Sequence, residues 1–234
     1  QPIGGDFGFS GKLARFYLSK DVWETDVARF GIDIWMTTTA VANGYSVSQS
    51  FLGAKIHDTK DPGADLSAML YQVVSATFGL METYPEVWKK AHGSEPVRTY
   101  GFQYAVGLEQ VNVNVERMLG IFREGIRSLR DIWIDVLGQG DFGEVASLGS
   151  IGGEAFRFPR GLWSRIIYDY ALAYHRKRLP VEHLIKSLTP LYLGRTASFV
   201  LEMRDADQNG AEEEIELLCG EFEKNKEYLL NKWK

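Results

Sequence analysis

The sequence predicts a mainly α-helical protein with a small α/β part. Tyr45 to Ile56 alternates and is rich in Val, Phe and Ile, the pattern of a strand. From residue 62 onward the apolar period changes to three and four, the pattern of helices that bury one face. No apolar run approaches the ~20 residues of a membrane span.

In chain order, Pro2 fixes the backbone, and Gly4-Gly5 allows close approach to a ligand or positive φ before Asp6. Ser10 is the expected N-cap of a helix from Gly11 to Ser19. A second helix runs from Ile32 to Asn43 and is closed by Gly44. Asp33 lies in its first turn, where a carboxylate suits the helix dipole. The strand Tyr45 to Ile56 then delivers His57 to its tip, followed by a polar run and Pro62. Strand ends at the carboxyl edge of an open α/β sheet are where ligands bind, and an imidazole there can ligate a metal or move a proton.

The remaining helices are read from their apolar faces. Leu66, Met69, Leu70, Val73, Val74, Phe78 and Met81 trace one. Met118, Phe122, Ile126, Leu129, Trp133 and Val136 trace a long helix from about Gln110 to Leu137. Leu162, Ile166, Tyr170 and Tyr174 mark another, and Ile215, Leu218, Phe222, Leu229 and Trp233 the last. Two segments, His92 to Val106 and Gly138 to Gly161, interrupt them; the second is Gly-rich and reads as a loop. Within it Gly138-Gln139-Gly140-Asp141-Phe142-Gly143 imitates a dinucleotide fingerprint and a kinase triplet. Both need a preceding strand, and a helix precedes instead. Phe156-Arg157-Phe158-Pro159 is expected to pack that loop onto the helices.

His175-Arg176-Lys177-Arg178 ends a helix before Pro180. Cations suit a helix C-terminus, and an anion site is the sharper alternative. Ser187 to Arg195 reads as a packed helix junction, with Arg195 the basic residue to follow. Asp205-Ala206-Asp207 falls in a polar turn between helices. Cys219 excludes an internal disulfide framework and a cysteine metal cluster, and a cytoplasmic location is the default expectation. Hydrophobic content of 45% and a net charge of −5 point to neither disorder nor nucleic-acid binding.

The ordered set in residues 1 to 80 resembles the second half of a GT-A fold glycosyltransferase catalytic domain. The likeness is to family 2-type transferases and to the mannosylglycerate synthase and glucosyl-3-phosphoglycerate synthase group. Pro2-Ile3-Gly4-Gly5-Asp6 matches the loop near donor sugar and acceptor. Gly31-Ile32-Asp33 matches the helix start that contacts the sugar, and His57, Lys60 and Pro62 match the metal-binding His and the basic residue and Pro after it. Asp65 to Val73 resembles the helix that follows.

The resemblance implies a metal-dependent hexosyltransferase that uses a nucleotide-sugar donor and an unidentified acceptor, a small anionic one among the candidates. It implies His57 as ligand to Mg²⁺ or Mn²⁺, Asp33 as the catalytic carboxylate, and Gly4, Gly5, Asp6 and Lys60 as donor or acceptor contacts. Asp33 would be the base in an inverting enzyme and would position the sugar in a retaining one. Residues 1 to 61 would then finish the catalytic domain, as its C-terminal remnant, and residues 62 to 234 would form an α-helical domain. The nucleotide-binding half implied by the family would precede Gln1. The expected behaviour of the chain alone is therefore helical, catalytically silent and prone to form a homo-oligomer through the strand edge at 45 to 56. Two other readings stay open: a noncatalytic helical interaction module, and a metal-dependent hydrolase.

Overall fold

The computed structural model describes residues 5–53, 67–102 and 113–234. The protein is mainly helical with a two-stranded parallel sheet, in agreement with the expected fold class. Its contacts separate into two compact units, one from Gln1–Lys60 with Ala68–Val111 and the other essentially Asn112–Lys234.

In the first unit, Ser10 caps helix α1 (Gly11–Leu18) by accepting the Leu13 amide at 3.2 Å. Helix α2 (Ile32–Ala42) starts at Gly31 without a side-chain cap and carries Asp33 in its first turn. Helix α3 (Ser67–Thr83) and the short α4 (Pro85–Trp88) follow in the chain. Leu13 and Tyr17 of α1, Trp35 and Ala40 of α2, and Leu80 of α3 form one buried cluster. Tyr17 joins ring contact to polar satisfaction. Its ring lies 5.2 Å from that of Trp35, and its hydroxyl donates to the Met36 carbonyl at 2.7 Å. The change of sequence period near residue 62 suggested a domain boundary at 61/62. Contacts instead group nearly all of α3 with the first unit, because Leu80 completes a core begun by α1 and α2.

The expected strand is much shorter than Tyr45 to Ile56. Strand β1 is Ser48–Ser50, paired in parallel with β2, Arg98–Tyr100. A parallel pair cannot be joined by a tight turn, and α3 and α4 lie between the two strands in sequence. The ladder closes with the Phe51 amide on the Tyr100 carbonyl at 2.9 Å. Beyond it Gly53 (φ +86) and Gly101 (φ +84) take the left-handed region and turn both chains out of the sheet. One edge of β1 thus has a partner within the chain.

The second unit is all helix among its described residues: α5 (Val115–Ser128), α6 (Arg130–Leu148), α7 (Arg160–His175), α8 (Val181–Glu202) and α9 (Gln208–Lys232). The single long helix expected from Gln110 to Leu137 is divided at Leu129, the C-cap of α5. The first part of the expected Gly-rich loop is helix, because α6 continues to Leu148 past a break at Gly138 (φ +78); the rest, up to the start of the next helix at Arg160, has no α-helix. The supposed junction at Ser187–Arg195 is continuous helix, with Pro190 inside α8. Eleven buried residues distribute around α8, the signature of a central helix.

Close backbone approach fixes α5 against α8. A methyl group on Gly125 would sit 2.7 Å from both Pro190 Cβ and Trp133 Cη2, and one on Gly194 would sit 2.8 Å from Phe122 Cδ2. Pro190 has no N–H to offer its own helix. In its neighbourhood Trp133 Nε1 donates to the Ser187 carbonyl at 3.0 Å, while the Tyr170 hydroxyl and Ser187 Oγ pair at 2.9 Å. Phe156 and Phe158 are buried, with rings 5.6 and 5.8 Å from Phe122, so this segment packs onto the helices as its aromatics predict.

Candidate functional site

The sequence-predicted site residues divide between described and undescribed positions. Gly5 and Asp6 are exposed in the approach to α1, and Asp33 is half-buried at the start of α2; all three belong to the first unit. Gly4, His57 and Lys60 lie outside the described residues, as does Pro62. Among the described residues, no three His, Cys, Asp or Glu side chains converge as a metal-binding group. Asp33 occupies the position that the helix-start pattern assigns it. The described end of β1 at Ser50 falls well before His57, so a strand running directly to the imidazole is not observed.

The second unit holds two charge clusters that the sequence shows only in part. The first surrounds Arg195, whose side chain is only 6% exposed. Its Nη2 meets Glu214 at 2.9 Å and its Nη1 meets Glu202 at 3.5 Å. Glu214 also accepts from Arg160 at 2.7 Å, and Ser198 Oγ donates to Glu202 while accepting the Phe158 amide at 2.7 Å. The network therefore ties α7, α8 and α9 to the Phe158 segment. Arg195 Nε has no partner, so the charge is paired but not fully satisfied.

The second cluster lies where α7 meets the C-terminal half of α9. A cavity of about 230 Å³ is lined by Asp135, Gly138, Asp169, Arg176, Arg178 and Lys232, among others. Asp169 is 5% exposed. Its Oδ1 accepts from the Tyr228 hydroxyl at 2.5 Å and stands 3.6 Å from Lys232 Nζ, while Oδ2 is buried without a partner. Burial pushes the Asp169 carboxyl up to about 6, with the Tyr228 hydrogen bond and the Lys232 charge opposing and Asp141 reinforcing the rise. Burial, together with the Asp169 hydrogen bond and charge, also raises the Tyr228 phenol, which stays a donor.

The basic run His175–Arg178 is explained by the helix ends gathered here. Arg178 and Lys177 amides return to the Ala173 and Tyr174 carbonyls at 3.1 and 3.0 Å, with Lys177 left-handed at φ +51. Arg176 Nη2 donates to the Lys232 carbonyl at 2.6 Å, capping α9, and Arg178 Nη1 donates to the Asp135 carbonyl at 2.5 Å, just before the break in α6. These cations therefore serve three helix C-termini, where negative partial charge collects.

Asp141 of the imitation fingerprint receives Arg165 in a forked contact, at 2.8 to 3.2 Å, that fastens α7 to α6. Asp205–Asp207 lies between α8 and α9 as expected, and Asp207 caps α9 through the Gly210 amide at 2.9 Å. Cys219 is half-buried. Among the described residues, no helix is long and apolar enough to cross a membrane.

No protein-family model, curated protein or solved structure matches this chain.

Proposed function

We propose that this chain contributes to the active site of a nucleotide-sugar-dependent, metal-dependent glycosyltransferase that moves a hexose to an unidentified acceptor. The observation that carries the reading is Asp33. It is half-buried in the first turn of α2, in the Gly31-Ile32-Asp33 pattern, with the Gly5-Asp6 loop before it and a parallel strand after it. A parallel pair with a helical crossover also belongs to α/β architecture.

In this reading Gly4 and Gly5 let the backbone approach the sugar, and Asp6 and Lys60 supply polar contacts to donor or acceptor. Asp33 holds a sugar hydroxyl or takes the acceptor proton. His57 is the protein ligand for Mg²⁺ or Mn²⁺, which when bound supplies Lewis-acid stabilisation of the departing diphosphate. The acceptor and any second copy are partners to be identified.

Calorimetric titration with Mn²⁺, alone and with common nucleotide-sugars, tests the reading in the natural polypeptide that carries this chain, alongside His57→Ala. The expected result is Mn²⁺-dependent donor binding and release of nucleoside diphosphate, both weakened in the variant. Mn²⁺ affinity and transfer unaffected by His57→Ala would remove the residue from the site. Absence of transfer from every common donor would remove the reading itself.

A further inference from the structure

The C-terminal half of α9 meets α7 through a row of polar contacts beside its apolar ones. Within that half Leu229 is buried, as is Trp233 just beyond it, and the Phe222 ring meets that of Tyr168 with centroids 5.5 Å apart. The polar seam is continuous: Tyr168 donates to the Phe222 carbonyl at 2.8 Å, and Asn225 Nδ2 donates to Ser164 Oγ at 2.7 Å. Tyr228 and Lys232 then meet Asp169, Arg176 caps the Lys232 carbonyl, and His175 stacks on Trp233 with ring centroids 4.1 Å apart. Asp169 is the carboxylate at the middle of this arrangement. One of its oxygens is shared by two donors, and the other is shut from water with none. An ionised carboxylate in that setting loses hydration that the protein replaces only on one side.

We infer that Asp169 is a proton-linked fastening for the C-terminal half of α9, so that the seam holds more tightly when Asp169 is neutral than when it is ionised. The groups facing it are Tyr228 and Lys232 from α9 and Asp135 and Asp141 from α6. Arg165 and His175 of α7 and Arg176 and Arg178 beyond it complete the set. Lys232 favours the ionised form and Asp141 opposes it, and burial outweighs both. The direction follows from linkage. The carboxyl is raised from 3.8 to about 6 in the folded chain, so its contribution is fully present below the unfolded value and is lost as pH rises through about 6. Acid thus strengthens this seam, the reverse of what an ordinary surface salt bridge would do. Asp169 lines the cavity described above.

Amide hydrogen exchange across residues 222–233, corrected for intrinsic rates, tests the inference at about pH 5 and about pH 7.5 in the whole chain. The opening equilibrium of this segment should grow about tenfold between the two conditions. In Asp169→Asn the opening should be nearly the same at both and, at the higher pH, smaller than in the parent. His175 meets Trp233 at the same end of the seam, and the Asn variant assigns the dependence to Asp169. Parent protection that does not change with pH would overturn the inference, as would an undiminished change in the variant. Where the Asn variant fails to fold, His175→Gln takes its place: the pH dependence should persist in it, and its disappearance there would overturn the inference.

Discussion

Asp33 sits where charge and hydrogen bonding are separable. Asp33→Asn keeps the size of the side chain and much of its hydrogen bonding while removing the charge. Turnover in the proposed transfer should fall by about 10²-fold or more, with nucleotide affinity nearly unchanged. Near-parental kcat would leave Asp33 as a helix-start acid. Arg195 provides a contrasting case, because its role is structural at every contact it makes. Arg195→Met removes one charge and leaves buried Glu214 and half-buried Glu202 with less compensation; unfolding in urea should show a loss of about 3–5 kcal/mol. A loss below about 1 kcal/mol would mean that the network relaxes around the change. Of these residues, Asp33 was legible as a first-turn acid because a carboxylate before an apolar run suits a helix start, even where no side chain caps it. Arg195 was legible only as a residue to follow, since its partner Glu214 lies in an acidic run that reads as solvated. Asp169 has its own sequence signal: Leu162, Ile166, Asp169 and Ala173 share a helical spacing and all are buried. A carboxylate in an apolar stripe was the available signal.

At the scale of elements, the helices were legible and their ends less so. Glycine misled the reading of residues 138 to 161: only Gly138 of the first three glycines there takes positive φ, while Gly140 and Gly143 stand in helix with open space where a Cβ would go. Composition alone does not distinguish a glycine that turns the chain from one that merely occupies an exposed face. The strand reads too long for the opposite reason, because the alternation runs through Phe51 and Leu52 although the described ladder stops at Phe51. The C-terminus of α7 has a left-handed residue where glycine is usual. Lys177→Gly should stabilise the protein by about 1 kcal/mol, measured by urea unfolding, since Gly carries no Cβ penalty at φ +51. A neutral or destabilising result would show that the Lys177 side chain offsets that penalty through its own contacts. Gly194→Ala should act in the other direction, losing about 1–3 kcal/mol as Phe122 is displaced.

For the whole molecule, the two units differ in how they meet solvent. Among the described residues, twelve of the fourteen large apolar side chains that are exposed belong to the first unit; only Val181 and Leu217 belong to the second. The second unit also has its own core, built from Met118, Phe122, Trp133, Ile166, Tyr170 and Leu188. Residues 113–234 should therefore fold when produced alone and unfold in one cooperative transition, followed by circular dichroism during heating. A broad or multiphasic loss of helix would show that this core depends on the rest of the chain.

The break at Gly138 has a consequence for changes in chain length. An added residue inside a continuous helix rotates everything beyond it by about 100° and carries each buried side chain off its face. In α8, which runs unbroken through Pro190, one insertion would scramble the central layer of the unit. At Gly138 the helical phase is already interrupted, so an inserted or deleted residue need not propagate its rotation into Phe142, Val145 and Leu148. The joint in α6, rather than the proline in α8, is where this bundle has room to vary its length.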